Sequence, residues 1–269
     1  MKKNYQLLVK LVQSNLRLKY RYLFFGFLWN FFAPLFMACI LMAIFCVVLR
    51  VDIKDYPFFI YLMTGLFPWR YLQESVTQAA TSIVDNQNML HNFTFPYELI
   101  PVAVVLGNLI SFIPSLGVMI FFIWIFKVKI SPLIFLLPGV LLLHTVFIIG
   151  IALFCAAVYV RFRDTSHIIE IFFTGMFYLT PVFYSLRQVS ACVPGFFFHL
   201  YLLNPFVAIL DFYRLALLDG YARTLPVQVN FWNALWIPLV IIALVLCAGI
   251  YVFGKTKVKI PDYLSRYGK

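Results

Sequence analysis

Residues 132–160 decide the fold; they read PLIFLLPGVLLLHTVFIIGIALFCAAVYV and contain no Asp, Glu, Lys or Arg. An α-helix needs about 20 mostly apolar residues to cross the roughly 30 Å hydrocarbon core of a bilayer. Similar apolar blocks lie on both sides of this one. Of the 269 residues 64% are hydrophobic and 12% charged, with a mean hydropathy of +0.94, whereas a soluble domain carries roughly 25% charged residues. The composition excludes a soluble enzyme and indicates a multi-span membrane protein.

We predict an all-α polytopic protein, a single membrane domain with six transmembrane helices. The predicted spans lie at about residues 24–49, 56–80, 99–126, 132–160, 167–184 and 231–253. In residues 1–23, apolar positions follow helical spacing and basic and polar residues lie opposite them. This pattern predicts an amphipathic helix on the inner membrane surface. Gly65 and Pro68 are expected to bend the second span.

Between the fifth and sixth spans, within a segment at about residues 195–225, His199 to Leu218 is long enough to be counted as a seventh span. However, Asp211 and Arg214 lie in it, and each charge costs about 2.5–3.5 kcal/mol at mid-membrane. A seventh crossing would also place the basic C-terminal tail outside, against the positive-inside rule. We therefore predict two re-entrant helices, broken at Asn204 and Pro205, that dip into the outer leaflet. Both termini are then cytoplasmic.

The excess of basic residues is typical of a membrane protein whose ends are held at the cytoplasmic face. The formal net charge of +11 comes from 21 Lys and Arg against 10 Asp and Glu, and the basic residues cluster at the two ends of the chain. Anchoring of both termini at the cytoplasmic face explains this better than nucleic-acid binding, which we do not expect. Four of the five cysteines lie inside apolar blocks, so no disulfide framework is expected.

Several features that could carry chemistry have a simpler explanation. Residues 249–256 match the spacing of a phosphate-binding loop, but bulky apolar residues at the end of a membrane helix cannot curl around a phosphate. The sequence has no metal-binding motif and no nucleophile elbow. His144 is predicted to form a hydrogen bond between helices. Arg70 and Glu74, one helical turn apart, are predicted to pair.

Four short patterns at the ends of the predicted spans are more informative. They are Lys19, Tyr20 and Arg21 with Gly26, Phe27, Leu28, Trp29 and Pro34; Gly65 and Trp69 with Asn86, Asn88, Phe95, Pro96 and Pro101; Arg163, Asp164 and His167 with Thr180, Pro181, Val182, Phe183 and Tyr184; and Asn204 and Pro205 with Tyr213, Arg214 and Gly220. In this order they resemble the permease subunits of type-2 ABC exporters for polysaccharide and polyol phosphate, which include O-antigen, capsule and teichoic-acid permeases. The resemblance covers nearly the whole chain. Phe24 and Phe25 depart from it, as does the loop 82–92, which lacks the basic residues common there.

The resemblance implies a homodimer with a separate cytoplasmic ABC ATPase beneath each copy. ATP and Mg²⁺ are then bound by the partner, and the chain itself has no catalytic site, cofactor or metal. In such proteins the first inner loop, here about residues 82–95, forms a coupling helix seated in the ATPase. Its expected contact residues are Asp85, Asn86, Met89, Leu90, His91 and Phe93. Three of them are apolar anchors that a purely solvated loop would not need, although an ordinary polar loop is the alternative.

The resemblance also implies a substrate path between the two copies, lined by the first and fifth spans. Its expected lining residues are Trp29, Phe32, Tyr178, Phe183 and Tyr184. Aromatic faces suit a sliding sugar chain because they stack without fixing one register. Arg21 and Arg163 at the inner mouth could pair with the pyrophosphate of a polyprenyl-linked glycan. Anchoring of the adjacent spans explains the two arginines as well.

The expected function is therefore export of a lipid-linked polysaccharide across the bacterial inner membrane, with O-antigen for lipopolysaccharide as the first choice. Capsule or teichoic-acid export is the alternative within the family, followed by a drug or small-lipid exporter of the same fold. A polytopic glycosyl or acyl transferase is the alternative from another class. Against it, the acids Asp52, Asp55, Asp211 and Asp219 are scattered and have no spacing tied to catalysis. A neighbouring ATPase gene would favour the exporter.

Overall fold

The computed structural model describes residues 2–19, 32, 35–48, 55–87, 96–226 and 231–267. These residues form helices and contain no β-strand; a single antiparallel bridge joins Ile130 and Leu218. The helices are α1 (Lys2–Lys19), α2 (Leu35–Cys46), α3 (Phe58–Asp85), α4 (Leu99–Ile125), α5 (Leu137–Arg161), α6 (Thr165–Leu179), α7 (Leu186–Cys192), α8 (Gly195–Leu202), α9 (Pro205–Leu217), α10 (Phe231–Lys257) and α11 (Ile260–Tyr267). A π-helix (Ala43–Val48) and two 3₁₀-helices (Pro132–Leu136 and Tyr221–Thr224) complete the list.

The helices fit a multi-pass membrane protein. Among the described residues, Leu99–Ile125, Pro132–Arg161 and Trp236–Lys257 are long and apolar enough to cross a bilayer. Helix α3 also has a sufficient length, with 28 residues, but its second half is polar. Helix α6 has only 15 residues, and α2 covers the end of the first predicted span, whose start lies outside the described residues. The count of six spans therefore stays a prediction.

The predicted boundaries differ from the helices at two places. Helix α3 runs without interruption past Gly65 and Pro68 to Asp85, so residues 82–85 of the predicted coupling helix belong to α3. Helix α6 ends at Leu179, because Thr180 adopts an extended conformation with ψ 144°. The last residues of the predicted fifth span therefore lie beyond the helix.

The chain breaks between α8 and α9 where the sequence predicts. The side chain of Asn204 accepts a hydrogen bond from the amide of Phe206 at 3.0 Å, and Pro205 occupies the first helical position. This is a typical start of a helix. The two helices meet at 78°, so they form a broken span or a re-entrant segment. Its depth in the outer leaflet stays a prediction.

Helix α3 lies at the centre of the bundle and packs on α4 and α5, and α5 packs on α10. Gly150 and Gly249 make the second contact possible. A Cβ atom on Gly150 would lie 2.8 Å from Cα of Leu246, and one on Gly249 would overlap the carbonyl of Gly150. The backbones of α5 and α10 therefore touch directly, as small residues allow in membrane helix pairs.

The two terminal helices, α1 and α11, attach to the same end of the bundle. Helix α1 packs on α4. Helix α11 buries Ile260 against Ile83 of α3 and Ile100 of α4. Just before α11, Nζ of Lys257 donates a hydrogen bond to Oε1 of Glu98 at 2.8 Å. Both ends of the described chain are thus held beside the C-terminal end of α3.

Candidate functional site

An open groove of about 610 Å³ lies between α3 and α6, with α2 at its edge. On α3 its lining residues recur every three or four positions, so they share one helix face; the same holds for α6. The lining residues are Met37 of α2; Leu66, Trp69, Arg70, Gln73, Glu74 and Thr77 of α3; and Glu170, Thr174, Phe177 and Tyr178 of α6. The groove therefore combines aromatic rings with hydroxyl, amide and charged groups.

The charged residues at the groove are arranged around Glu74. Its Oε1 accepts a hydrogen bond from Nε of Arg70 at 2.5 Å, which confirms the predicted pair. From the opposite side, Nζ of Lys19 lies 3.8 Å from Oε2 of Glu74 and donates a hydrogen bond to Oδ1 of Asn108 at 2.9 Å. Burial lowers the pKa of the Lys19 ammonium from its usual value, and the nearby Glu74 opposes that shift. One carboxylate thus links α1 to the groove.

The predicted aromatic residues of the substrate path are divided between the groove and the core. Tyr178 lines the groove and is 61% exposed, and Phe32 is also exposed. Phe183 is buried, with its ring centroid 4.9 Å from that of Phe45. The half-buried Tyr184 donates a hydrogen bond to the carbonyl of Tyr178 at 3.0 Å. Trp29 lies outside the described residues, and the roles of all five stay predictions.

The site residues predicted from the sequence do not include the polar half of the groove. Gln73, Glu74 and Thr77 of α3 and Glu170 and Thr174 of α6 line it. A signal was present in the sequence, since polar residues recur every three or four positions through the second half of α3. It indicates a helix face that avoids lipid. However, the pattern cannot name the helix that faces it.

The residues predicted to contact the ATPase are only partly described. Asp85 ends α3, and its Oδ2 accepts a hydrogen bond from Thr81 at 2.7 Å. Asn86 follows and donates from Nδ2 to the carbonyl of Ser82 at 2.8 Å. Met89, Leu90, His91 and Phe93 lie outside the described residues, as does Arg21. The half-buried Arg163 lies in the turn before α6.

A second polar cluster surrounds Arg214, whose side chain is fully buried. Its Nη2 donates to the carbonyl of Pro181 at 2.6 Å, and its guanidinium lies 3.7 Å from the ring centroid of Tyr61. Its Nη1 lies 3.9 Å from Oδ1 of Asp211, which also accepts a hydrogen bond from the hydroxyl of Tyr221 at 2.7 Å. Arg214 therefore joins α9 to α3 and to the chain that leaves α6.

This Arg214 cluster brings together patterns that are far apart in the sequence. Gly65 of α3 faces Val182, and a Cβ atom on this glycine would lie 2.9 Å from the Val182 carbonyl oxygen. That oxygen also accepts a hydrogen bond from Arg214 at 3.3 Å. On the neighbouring face of α9, the hydroxyl of Tyr213 lies 3.2 Å from Nδ1 of the buried His144. The predicted bond from His144 to another helix is thus confirmed.

The structure also describes the segment that matches the spacing of a phosphate-binding loop, and the residues that could bind a metal. Residues 249–256 lie within the continuous helix α10, so their backbone amides are not free to cradle a phosphate. In the described part of the chain, His, Cys, Asp and Glu form no group of three that could hold a metal ion.

Comparisons with known proteins identify the family. Residues 6–218 match the model of the family described as ABC-2 type transporter. The "O-antigen export system permease protein RfbA" of Myxococcus xanthus is 35% identical over 184 residues, which cover 68% of this chain and 70% of that protein. Two proteins of the same name from Klebsiella pneumoniae are 27% and 25% identical over 261 residues, which cover 97% of this chain and 95% of each relative. Since the family match includes every helix of the groove and most of the chain, the protein belongs to the ABC-2 type transporter family.

Proposed function

We propose that the protein is the permease subunit of an ABC transporter that exports O-antigen polysaccharide, linked to polyprenyl pyrophosphate, across the bacterial inner membrane. Three relatives named as O-antigen export permeases support this substrate. The observation that carries the proposal is the groove between α3 and α6, because its mixture of aromatic rings, hydroxyls, amides and carboxylates suits a sugar chain.

In this proposal two copies of the chain assemble with two copies of a cytoplasmic ABC ATPase. The chain is a single membrane domain of six spans with both termini in the cytoplasm and a re-entrant segment at about residues 195–225. Residues 82–95 form the surface that contacts the ATPase. ATP and Mg²⁺ bind the ATPase, and the permease contributes no cofactor and no catalytic residue.

The groove would hold the glycan by many weak contacts. Tyr178 offers an exposed aromatic face on which a sugar ring can stack. Gln73, Thr77 and Thr174 offer donors and acceptors that exchange one sugar hydroxyl for the next. Because no contact is strong, a polymer can advance without one preferred register. ATP binding and hydrolysis on the partner would move the inner ends of the helices and open the path.

The direct test is to purify the chain together with a candidate ABC ATPase from the same genome and to measure ATP hydrolysis with lipid-linked O-antigen oligosaccharide. We expect a complex of two permeases and two ATPases whose hydrolysis rises when the oligosaccharide is added. Tyr178→Ala should reduce this stimulation. Tyr251→Ala is the matched control, since Tyr251 on α10 is equally exposed, at 61%, and lies outside the groove.

Two results would contradict the proposal. If the chain bound no ATPase, the permease assignment would fail, and a membrane transferase would become the next hypothesis. If the complex formed but Tyr178→Ala and Tyr251→Ala behaved alike, the groove would not be the substrate path.

A further inference from the structure

The inner half of the groove carries more carboxylate than cation. Its described lining residues include two carboxylates, Glu74 and Glu170, and one guanidinium, Arg70. Arg70 is held by Glu74 through the hydrogen bond from its Nε. The exposed Glu170 forms no ion pair with any described residue. The lining residues therefore leave one net negative charge, and it lies on α6.

The nearby cation Lys19 does not make the net charge of the groove positive. Lys19 approaches Glu74 from the side of α3 that faces α4, and its ammonium is engaged with Asn108. It lines two smaller pockets on that side rather than the groove itself. Even when Lys19 is included, the two cations and two carboxylates sum to zero. The described residues thus provide no surplus positive charge along the groove.

We propose that the groove selects neutral glycans over polyanionic ones, with Glu170 as the specificity-determining residue; this deepens the proposed function and rests on it. The occupant is a chain of uncharged sugars. Polymers with a carboxylate or a phosphate in each repeat are disfavoured.

The physical basis is the repetition of the charge. Pores that conduct anions are lined by Arg and Lys, whereas rings of Asp and Glu favour cations. A polymer with one anion per repeat would bring a like charge to Glu170 at every step of its passage, and like charges placed together are costly when they are partly desolvated. In a dimer, both copies would present the same carboxylate. Uncharged sugars avoid this repulsion, and their hydroxyls can donate hydrogen bonds to the same oxygens.

The single anionic group of the lipid carrier is a separate case. Arg163 lies in the turn before α6, seven residues ahead of Glu170 and therefore about two helical turns away. It is not among the groove-lining residues. A pyrophosphate can meet this rim cation once, while the repeating part of the polymer passes the carboxylates.

The test uses the complex of permease and ATPase in lipid nanodiscs and two lipid-linked oligosaccharides of equal length. One contains only neutral hexoses, and the other carries a hexuronic acid in each repeat. We expect the neutral compound to stimulate ATP hydrolysis at a concentration roughly tenfold lower than the acidic one. Glu170→Gln should narrow this difference, and Glu170→Lys should narrow it further or reverse it.

Asp164→Asn is the matched control. It makes the same charge change at the same end of α6, and Asp164 is exposed and outside the groove lining. The wild-type preference should persist in this variant. Because Glu170 is exposed and unpaired within the described chain, its variants should fold, which thermal unfolding of the complex checks.

The possible failures are distinguishable. Equal stimulation by both compounds, or a preference for the acidic one, would overturn the charge selection and leave the export function standing. An unchanged preference in Glu170→Lys would overturn the role of Glu170. Absence of stimulation by either compound would overturn the proposed export function and the selectivity with it.

Discussion

Among the described residues, two pairs of arginine and carboxylate differ in their surroundings. Arg214 is fully buried and contacts the carbonyls of Pro181 and Val182 as well as its counter-ion. Arg70 is 36% exposed, and its counter-ion is Glu74, one turn away on the same helix. Each pair lies on one helix, but Arg214 also connects α9 to α3 and to the chain that leaves α6, whereas Arg70 and Glu74 face an open groove. The surroundings of a charge, rather than its identity, separate a structural role from the role in transport that we propose for the groove.

This difference can be tested first at Arg214, where we expect the largest effect of a substitution on stability. Arg214→Met would leave Asp211 buried without its cation and remove the donor from the carbonyl of Pro181. Breaking a buried pair in this way costs about 3–5 kcal/mol, so the purified protein should unfold at a clearly lower temperature in detergent. Arg223→Met is the control, because Arg223 is exposed. Equal unfolding temperatures for the two variants would contradict the structural role of Arg214.

The second prediction concerns the close approach of α3 to the Arg214 cluster. In Gly65→Ala the new Cβ atom would lie 2.9 Å from the carbonyl oxygen of Val182 and 3.0 Å from its Cα. Backbone atoms cannot move aside as a flexible side chain can, so we expect a loss of about 1–3 kcal/mol in the free energy of unfolding.

Gly117→Ala on α4 is the matched control, since no atom lies within 4 Å of its new Cβ atom. Alanine favours a helix over glycine by up to about 1 kcal/mol, so this variant should be as stable as the wild type or more stable. A thermal or denaturant unfolding series compares the two. The prediction is wrong if both variants shift stability in the same direction.

The third prediction, with the smallest effect on stability, addresses the groove. Glu74→Gln should reduce the free energy of unfolding by only about 0.2–1 kcal/mol, because its pair is partly exposed. Stimulation of ATP hydrolysis by the oligosaccharide should change nevertheless. Glu98→Gln removes a pair of similar exposure, with Lys257, outside the groove. Glu98→Gln should therefore be about as stable as Glu74→Gln, but the oligosaccharide should stimulate its ATP hydrolysis as it does in the wild type. If the stimulation were identical in the two variants, Glu74 would not belong to the substrate path.

Helical spacing accounts for both pairs, because Arg70 and Glu74 lie four residues apart and Asp211 and Arg214 lie three apart. It does not account for the other partners of Arg214, which lie 33 residues away at Pro181 and 150 residues away at Thr64. The sequence shows that a charge at this position is costly in a membrane, but it does not show which carbonyls and rings offset the cost. That information depends on the packing of α3, α6 and α9.

The groove shows the same limit of prediction from the sequence. The sequence predicts aromatic residues along the fifth span, and Tyr178 does line the groove. Phe183 instead points into the core, because α6 ends at Leu179 and the helical spacing no longer applies beyond it. Boundaries of helices in apolar sequence are poorly defined by composition, since the hydropathy does not change where the hydrogen bonding does.

The contact between Gly150 and Gly249 has a consequence for work with fragments of this protein. The family match ends at residue 218, yet α10, which follows it, supplies the backbone that covers the Gly150 face of α5. A fragment cut at the end of the match would leave that face bare. We expect it to aggregate or to be degraded on expression, because helix packing in a bilayer depends on such close contacts. The smallest unit that folds must therefore include α10, which the end of the family match does not reveal.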